Sequence, residues 1–168
     1  MTKTRLSPLW ILFLLWVLFG ALLAATYTQW PAQVATHFNL QGKPDAWMDS
    51  IWNIVAYAGL GIGLPLMMYG IFSLTSLFPT SCINIPQREY WLAPERRAAT
   101  FRELRRQSLW LGCLMVLFVA GLYVLTLDAN QGNPPQLSLV ATMALLAGFL
   151  LGVAIWVALL FRRFWKPE

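Results

Sequence analysis

The stretch from Leu137 to Arg163, LSLVATMALLAGFLLGVAIWVALLFRR, runs twenty-five residues without a charge and then meets two arginines. A bilayer core of about 30 Å is crossed by roughly 20 apolar residues in an α-helix. Hydrocarbon offers no partner to an open backbone amide, so a chain at that depth closes its hydrogen bonds within its own helix. The stretch therefore predicts a membrane-spanning helix over residues 137–161, with its end marked by cations. Three earlier stretches repeat the pattern, at residues 8–28, 51–77 and 108–127, and none of the four contains Lys, Arg, Asp, Glu or His. Apolar residues make up 58% of the chain and charged ones 11%, which points to the same class. The expected fold is an all-α membrane protein with four transmembrane helices. Residues 1–168 read as a single polytopic membrane domain, with connecting loops at 29–50 and 78–107 and a shorter one before the last span.

The cations fix an expected orientation. Lys3 and Arg5 precede the first span; Arg88, Arg96, Arg97, Arg102, Arg105 and Arg106 lie between the second and third; Arg162, Arg163 and Lys166 follow or end the fourth. Of twelve Lys and Arg residues, Lys43 alone falls in the other connections. The positive-inside rule then places both termini and the 78–107 loop in the cytoplasm, and the 29–50 loop outside. The net charge of +5 reads as a topology signal and an attraction to the bilayer and its anionic lipids. No nucleic-acid partner is expected, because the arginines hug membrane boundaries and no binding motif accompanies them. Lys3 and Arg5 before an apolar run also fit a signal peptide, with Ala24 and Thr26 at a small-residue cleavage site. The run is longer than such peptides use and ends in Tyr27 and Trp30, an interface anchor pair, so retention as a span is expected. Cys82 and Cys113 sit on or within the cytoplasmic side of the membrane, where a disulfide is not expected.

Within the spans, small residues recur every fourth position: Gly20, Ala24 and Thr28; Gly59 and Gly63; Ala144, Gly148 and Gly152. Such stripes allow close helix approach, and the expectation is packing inside one bundle, with a homodimer seam as the other reading. Pro65 lies inside the second span and predicts a kink. That span also carries Asn53, Tyr57, Tyr69, Ser73, Thr75 and Ser76, so a transport path along it is the alternative functional reading. The spans hold no ionisable Lys, Arg, Asp, Glu or His, which disfavours an ion-coupled transporter acting alone.

The 29–50 loop holds the sequence THFNLQGKPDAW from Thr36 to Trp47. Gly42 followed by Lys43, Pro44 and Asp45 is a turn signal, since Gly supplies a positive φ and Pro presets the next one. Trp30, Phe38 and Trp47 are candidates to rest on the headgroup layer, and Asp49 or Ser50 can cap the second span. His37, the only histidine, has Asp45 and Asp49 near it in sequence, but one His with two carboxylates lacks the spacing of a zinc or metalloprotease motif. No catalytic residue, metal or cofactor is therefore expected. The candidate ligand- or partner-binding residues are His37, Phe38, Asn39, Gly42, Pro44, Asp45 and Trp47.

The 78–107 loop begins with Asn84-Ile85-Pro86, which reads as extended because the residue before proline avoids the helical region. Tyr90, Trp91 and Leu92 form an aromatic patch suited to the interface. Pro94 and Glu95 mark a helix start, after which Ala98, Phe101 and Leu104 recur at spacing three. This predicts a short amphipathic cytoplasmic helix before the third span, with Glu103 and Arg106 forming a weak exposed pair. Candidate docking residues for a cytoplasmic partner are Asn84, Pro86, Tyr90, Trp91, Pro94, Glu95, Arg96 and Arg97. The competing reading is a connector that contacts lipid.

The two loops together resemble a known family. His37-Phe38-Asn39, Gly42, Pro44-Asp45 and Trp47 are similar to the hallmark of the small bacterial membrane domain called domain of unknown function 1648. Asn84-Ile85-Pro86 and the run Tyr90-Trp91-Leu92-Ala93-Pro94-Glu95-Arg96-Arg97 resemble the connector of its short stand-alone members. The domain is shared with Sdp-type immunity proteins, which protect a bacterium from a secreted toxin and signal to a cytoplasmic repressor. The resemblance implies a multi-pass protein of the bacterial plasma membrane and a role in toxin immunity, envelope sensing or signalling. The expected function is a non-enzymatic membrane module acting through its loops, with a protein partner at either face.

Overall fold

In the computed structural model, which describes residues 7–165, the apolar stretches fold as helices joined by one small sheet. The elements run α1 (Pro8–Thr26), β1 (Gln33–Phe38), β2 (Pro44–Asp49), α2 (Ser50–Leu74), α3 (Arg88–Trp91), α4 (Pro94–Gln131) and α5 (Leu139–Trp165). Four helices are long and apolar enough to cross a membrane, the architecture of a multi-pass membrane protein. Lys3, Arg5 and Lys166 lie outside the described residues.

The helix boundaries follow local chemistry. Ser7 caps α1, its hydroxyl accepting from the Leu9 amide at 3.4 Å, and Pro8 takes the first helical position, where no N–H is needed. Toward the end of α2 the hydroxyls of Ser73, Thr75 and Ser76 turn back onto the carbonyls of Tyr69, Phe72 and Ser73. The helix tightens into a 3-10 turn over Thr75–Leu77. Pro94 opens α4 with Glu95 in its first turn, as the sequence suggests. Gly132 closes it.

α2 and α5 run antiparallel to α4, and α1 runs parallel to it. Pro65 of α2 lies against Gly112, Leu12 of α1 lies beside the same glycine, and Leu114 and Leu145 pair with Gly152 and Gly121 across α4 and α5. α4 is thus the central helix. Its core side includes Cys113, Val116, Val119 and Tyr123, packed against Leu12, Phe19, Trp30 and Val34. Leu14, Val17, Leu60, Leu150 and Leu159 point outward, as lipid-facing positions of a spanning bundle do.

Three expectations are corrected. The amphipathic segment before the third span is not a separate short helix: it is the first part of α4, which continues unbroken for 38 residues. No Gly or Pro falls between Glu95 and Leu111, so nothing interrupts the hydrogen-bond ladder where the chain turns apolar. The loop over 29–50 contains a β-hairpin. Finally, Gly20, Gly59, Gly63 and Gly148 face open space, with no atom within 4 Å of an added Cβ. They are not seams of this bundle. The close approaches fall at Gly61 against Phe19, Gly112 against Pro65, Gly121 against Leu145 and Gly152 against Leu114.

Candidate functional site

Opposite the arginine-rich end of the bundle, β1 and β2 pair antiparallel with Gln33 opposite Asp49, Val34 opposite Met48 and Ala35 opposite Trp47. The register slips around His37, which faces Ala46, and Phe38 then faces Pro44. Asn39 organises the turn. Its side-chain oxygen accepts from the amides of Gln41 and Lys43 at 2.9 and 3.0 Å, while its own amide and carbonyl bond Lys43 and Gly42. This is the local turn chemistry for which Asn is favoured. Gly42 adopts φ +75°, as the turn signal requires.

Two clips fasten this hairpin to the bundle. Asn130, on the last turn of α4, treats Ala35 as a strand neighbour. Its Oδ1 accepts from the Ala35 amide at 2.8 Å and its Nδ2 donates to the Ala35 carbonyl at 3.0 Å and to the Thr126 carbonyl at 2.8 Å. At the turn, the Leu137 amide donates to the Gly42 carbonyl at 2.9 Å. The fit there is close enough that a Cβ on Gly42 would meet the Leu137 carbonyl oxygen at 2.4 Å. Gly42 is thus required twice, for its φ and for this approach. The base of the hairpin closes on itself: Gln33 Nε2 donates to Asp49 Oδ1 across the strands, and the Ser50 amide donates to the Ala32 carbonyl. Asp49 precedes α2 but spends its carboxylate on Gln33, so neither it nor Ser50 caps that helix through a side chain.

Beneath the hairpin, Tyr123 is fully buried and gathers a polar cluster. The Trp30 indole N–H donates to Tyr123 Oη at 2.9 Å. Tyr123 Oη and Thr26 Oγ1 are 2.5 Å apart, and the Thr26 hydroxyl donates to the Leu22 carbonyl at 2.8 Å, so Tyr123 is the donor to Thr26. Phe19, Trp30 and Tyr57 meet the Tyr123 ring edge-on at 6.2, 5.4 and 5.3 Å. Tyr57 and Thr126 share a hydroxyl contact at 2.7 Å, and one turn earlier in α2 the buried Asn53 keeps its Nδ2 without a partner among the described residues. Trp30 is therefore a core residue and not a headgroup anchor: its N–H has a better acceptor in Tyr123 than at the interface. Tyr57 and Pro65, the residues that would line a path along α2, are occupied by contacts with α4.

The candidate residues of the hairpin separate into two groups. Asn39 and Gly42 build the turn. His37, Asp45 and Trp47 are exposed, with Trp47 half open to its surroundings, and Phe38 and Pro44 are partly covered. His37 Nδ1 and Asp45 Oδ1 lie 2.5 Å apart across the strands, so His37 hydrogen-bonds within the loop. Among the described residues no third His, Cys, Asp or Glu joins them to form a metal cluster. Leu40, at the hairpin tip, is 86% exposed.

At the arginine-rich end, Trp91 is buried. Its indole N–H donates to the Phe164 carbonyl at 2.8 Å, its own carbonyl accepts from Thr100, and Arg163 stacks 5.0 Å from its ring. Ile83, Leu92, Phe101 and Leu104 complete that cluster, while Ala98 is exposed. Trp91 and Leu92 thus tie the end of α5 to the loop instead of offering an open aromatic patch. Arg97 is also engaged, donating to the carbonyls of Ser76 and Phe78 at 3.2 and 3.5 Å. Asn84, Pro94, Glu95 and Arg96 are exposed, and Pro86 and Tyr90 partly so, with Arg96 over the Tyr90 ring at 4.1 Å. Glu103 and Arg106 pair at 3.6 Å on the surface.

Asn130, Thr126, Tyr123, Thr26 and Trp30 were not legible as site residues from sequence. The usable signal was the spacing of Tyr123, Thr126 and Asn130, three polar-capable groups on one helical face. It was hidden because the apolar run stops at Leu127 and the residues beyond it read as a loop.

A family model described as Domain of unknown function (DUF1648) matches residues 11–62, bearing out the resemblance carried by the hairpin. The match takes in most of α1, the whole hairpin and the first half of α2; the Asn84 to Arg97 stretch lies outside it. Comparison with curated proteins and with solved structures gives no match.

Proposed function

We propose that the chain is a non-enzymatic recognition module of the bacterial plasma membrane, with both termini and the arginine-rich end in the cytoplasm and the hairpin outside. The hairpin receives an extracytoplasmic polypeptide, in a role of toxin immunity or envelope sensing. The observation that carries this reading is the contrast within the hairpin. Its backbone is clipped to the bundle at Ala35 and Gly42, while Leu40, His37, Asp45 and Trp47 remain exposed on it. A preorganised backbone lowers the ordering cost of binding, and exposed aromatic and apolar side chains supply contact area. The clip at Asn130 joins β1 to the far end of α4, a single rod that reaches the arginine-bearing loop. That continuity supports signalling to a cytoplasmic partner through the exposed Glu95 and Arg96.

The test is site-specific photocrosslinking in living cells from Leu40 and, as a lipid-facing control, from Val140, which is 83% exposed near the start of α5. The reading expects one discrete polypeptide adduct from Leu40, lost in His37→Ala/Asp45→Ala and absent at Val140. Lipid adducts alone from Leu40, or the same adducts from both positions, would overturn it.

A further inference from the structure

At the arginine-rich end a cavity of about 510 Å³ opens between the start of α1, the last turns of α2 and the first third of α4. Its wall includes Ser7, Tyr69, Arg102, Arg105, Arg106 and Leu109. The last four follow the i, i+3, i+4, i+7 spacing that places side chains on one face of a helix. The opposite face of the same turns carries Phe101, Leu104 and Ser108, all buried, so the arginines are held toward the cavity by the packing behind them.

The charge there is unbalanced. Three guanidinium groups share a few turns of helix, where like charges at these spacings repel. Among the described residues the cavity wall contains no carboxylate. Glu103 reaches Arg106 at 3.6 Å, while Arg102 and Arg105 form no ion pair among the described residues. Leu109 is where α4 turns from arginine-bearing to apolar, so the cavity straddles the level at which headgroups meet acyl chains. Tyr69, partly exposed, adds a hydroxyl at that level.

We infer that this cavity is a binding site for the phosphate of an anionic phospholipid, with Arg102 and Arg105 as its principal ligands. Guanidinium groups match phosphate oxygens in forked pairs, and the bundle surface above Leu109 accepts the acyl chains. The position at the apolar boundary favours a lipid phosphate over a soluble one.

The full chain is reconstituted in mixed phosphatidylglycerol and phosphatidylcholine bilayers, extracted in mild detergent, and its retained lipid is counted by native mass spectrometry. Phosphatidylglycerol is retained in preference to phosphatidylcholine. Arg102→Gln/Arg105→Gln lowers that retention about thirtyfold, as expected when two basic contacts at a membrane surface are lost. Arg88→Gln/Arg162→Gln, an equal change in net charge elsewhere at that end, leaves it in place. Circular dichroism and size-exclusion profiles confirm folding, and Arg102→Gln alone carries the test if the double variant does not fold. Equal loss in both double variants would show bulk charge attraction only and overturn the site. Displacement of the lipid by millimolar inorganic phosphate would reassign it to a free phosphate and overturn the lipid assignment.

Discussion

The indole N–H of Trp16 donates to the carbonyl of Gly61 at 3.0 Å. Gly61 lies four residues before Pro65, so this is the carbonyl that proline leaves without its helical donor. In hydrocarbon an orphaned backbone group is costly, and a side chain from α1 supplies the missing bond. Phe19, one turn along α1, presses its ring on the same glycine. The proline in α2 is thereby an anchor point between two helices.

A double-mutant cycle tests that relation. Trp16→Phe costs about 1 kcal/mol of bundle stability. In a Pro65→Ala background the restored amide at residue 65 serves Gly61, and the hydrogen-bond part of that cost vanishes. Unfolding in mixed micelles reads the difference; equal costs in both backgrounds would show that the Trp16 contact is packing alone.

Asn130→Leu releases the hairpin. It leaves the buried amide and carbonyl of Ala35 unpaired, at about 1–3 kcal/mol for each group so orphaned. Hydrogen exchange should show protection lost over Val34 to His37 and kept in the middle of α1 and α2. Unchanged protection at Ala35 would remove the clip from the account.

Gly42→Ala and Gly20→Ala separate two kinds of glycine. At Gly42 the added methyl meets both a positive φ and the Leu137 carbonyl, and the substitution costs upwards of about 1 kcal/mol. At Gly20 it meets open space and, in mid-helix, is neutral or stabilising by roughly 0.5–1 kcal/mol. Thermal unfolding of the two variants side by side checks the ordering.

Tyr123→Phe keeps the ring and removes the hydroxyl. The Trp30 N–H loses its acceptor and Thr26 loses its donor, for about 1–2 kcal/mol. His37→Ala, at an exposed pair, changes stability by less than about 1 kcal/mol. A stability loss larger for His37→Ala than for Tyr123→Phe would contradict the assignment of surface and core roles.

The spans were legible because hydrocarbon forces one answer on a long uncharged run: residues 8–28, 51–77, 108–127 and 137–161 each fall on a spanning helix. The turn at Gly42 was legible because positive φ selects its residue. The attachment of the hairpin to the bundle was not, because β1 is held by Asn130, about a hundred residues away in sequence, and no local pattern announces that. The unbroken α4 was missed for a different reason: the change from arginine-bearing to apolar sequence marks a change of solvent, and the backbone continues through it. Trp30 and Trp91 carried the composition of interface residues, yet each found a buried acceptor, Tyr123 and the Phe164 carbonyl.

The central claim, a bundle that holds its hairpin and its arginine-rich loop on opposite sides of the membrane, is tested by the native cysteines. Cys113 is buried and Cys82 is exposed beside the arginine-rich loop. In intact cells a membrane-impermeant maleimide should label Leu40→Cys and leave Cys82 unlabelled until the membrane is permeabilised. Labelling of Cys82 from outside, or protection of Leu40→Cys until permeabilisation, would contradict the account.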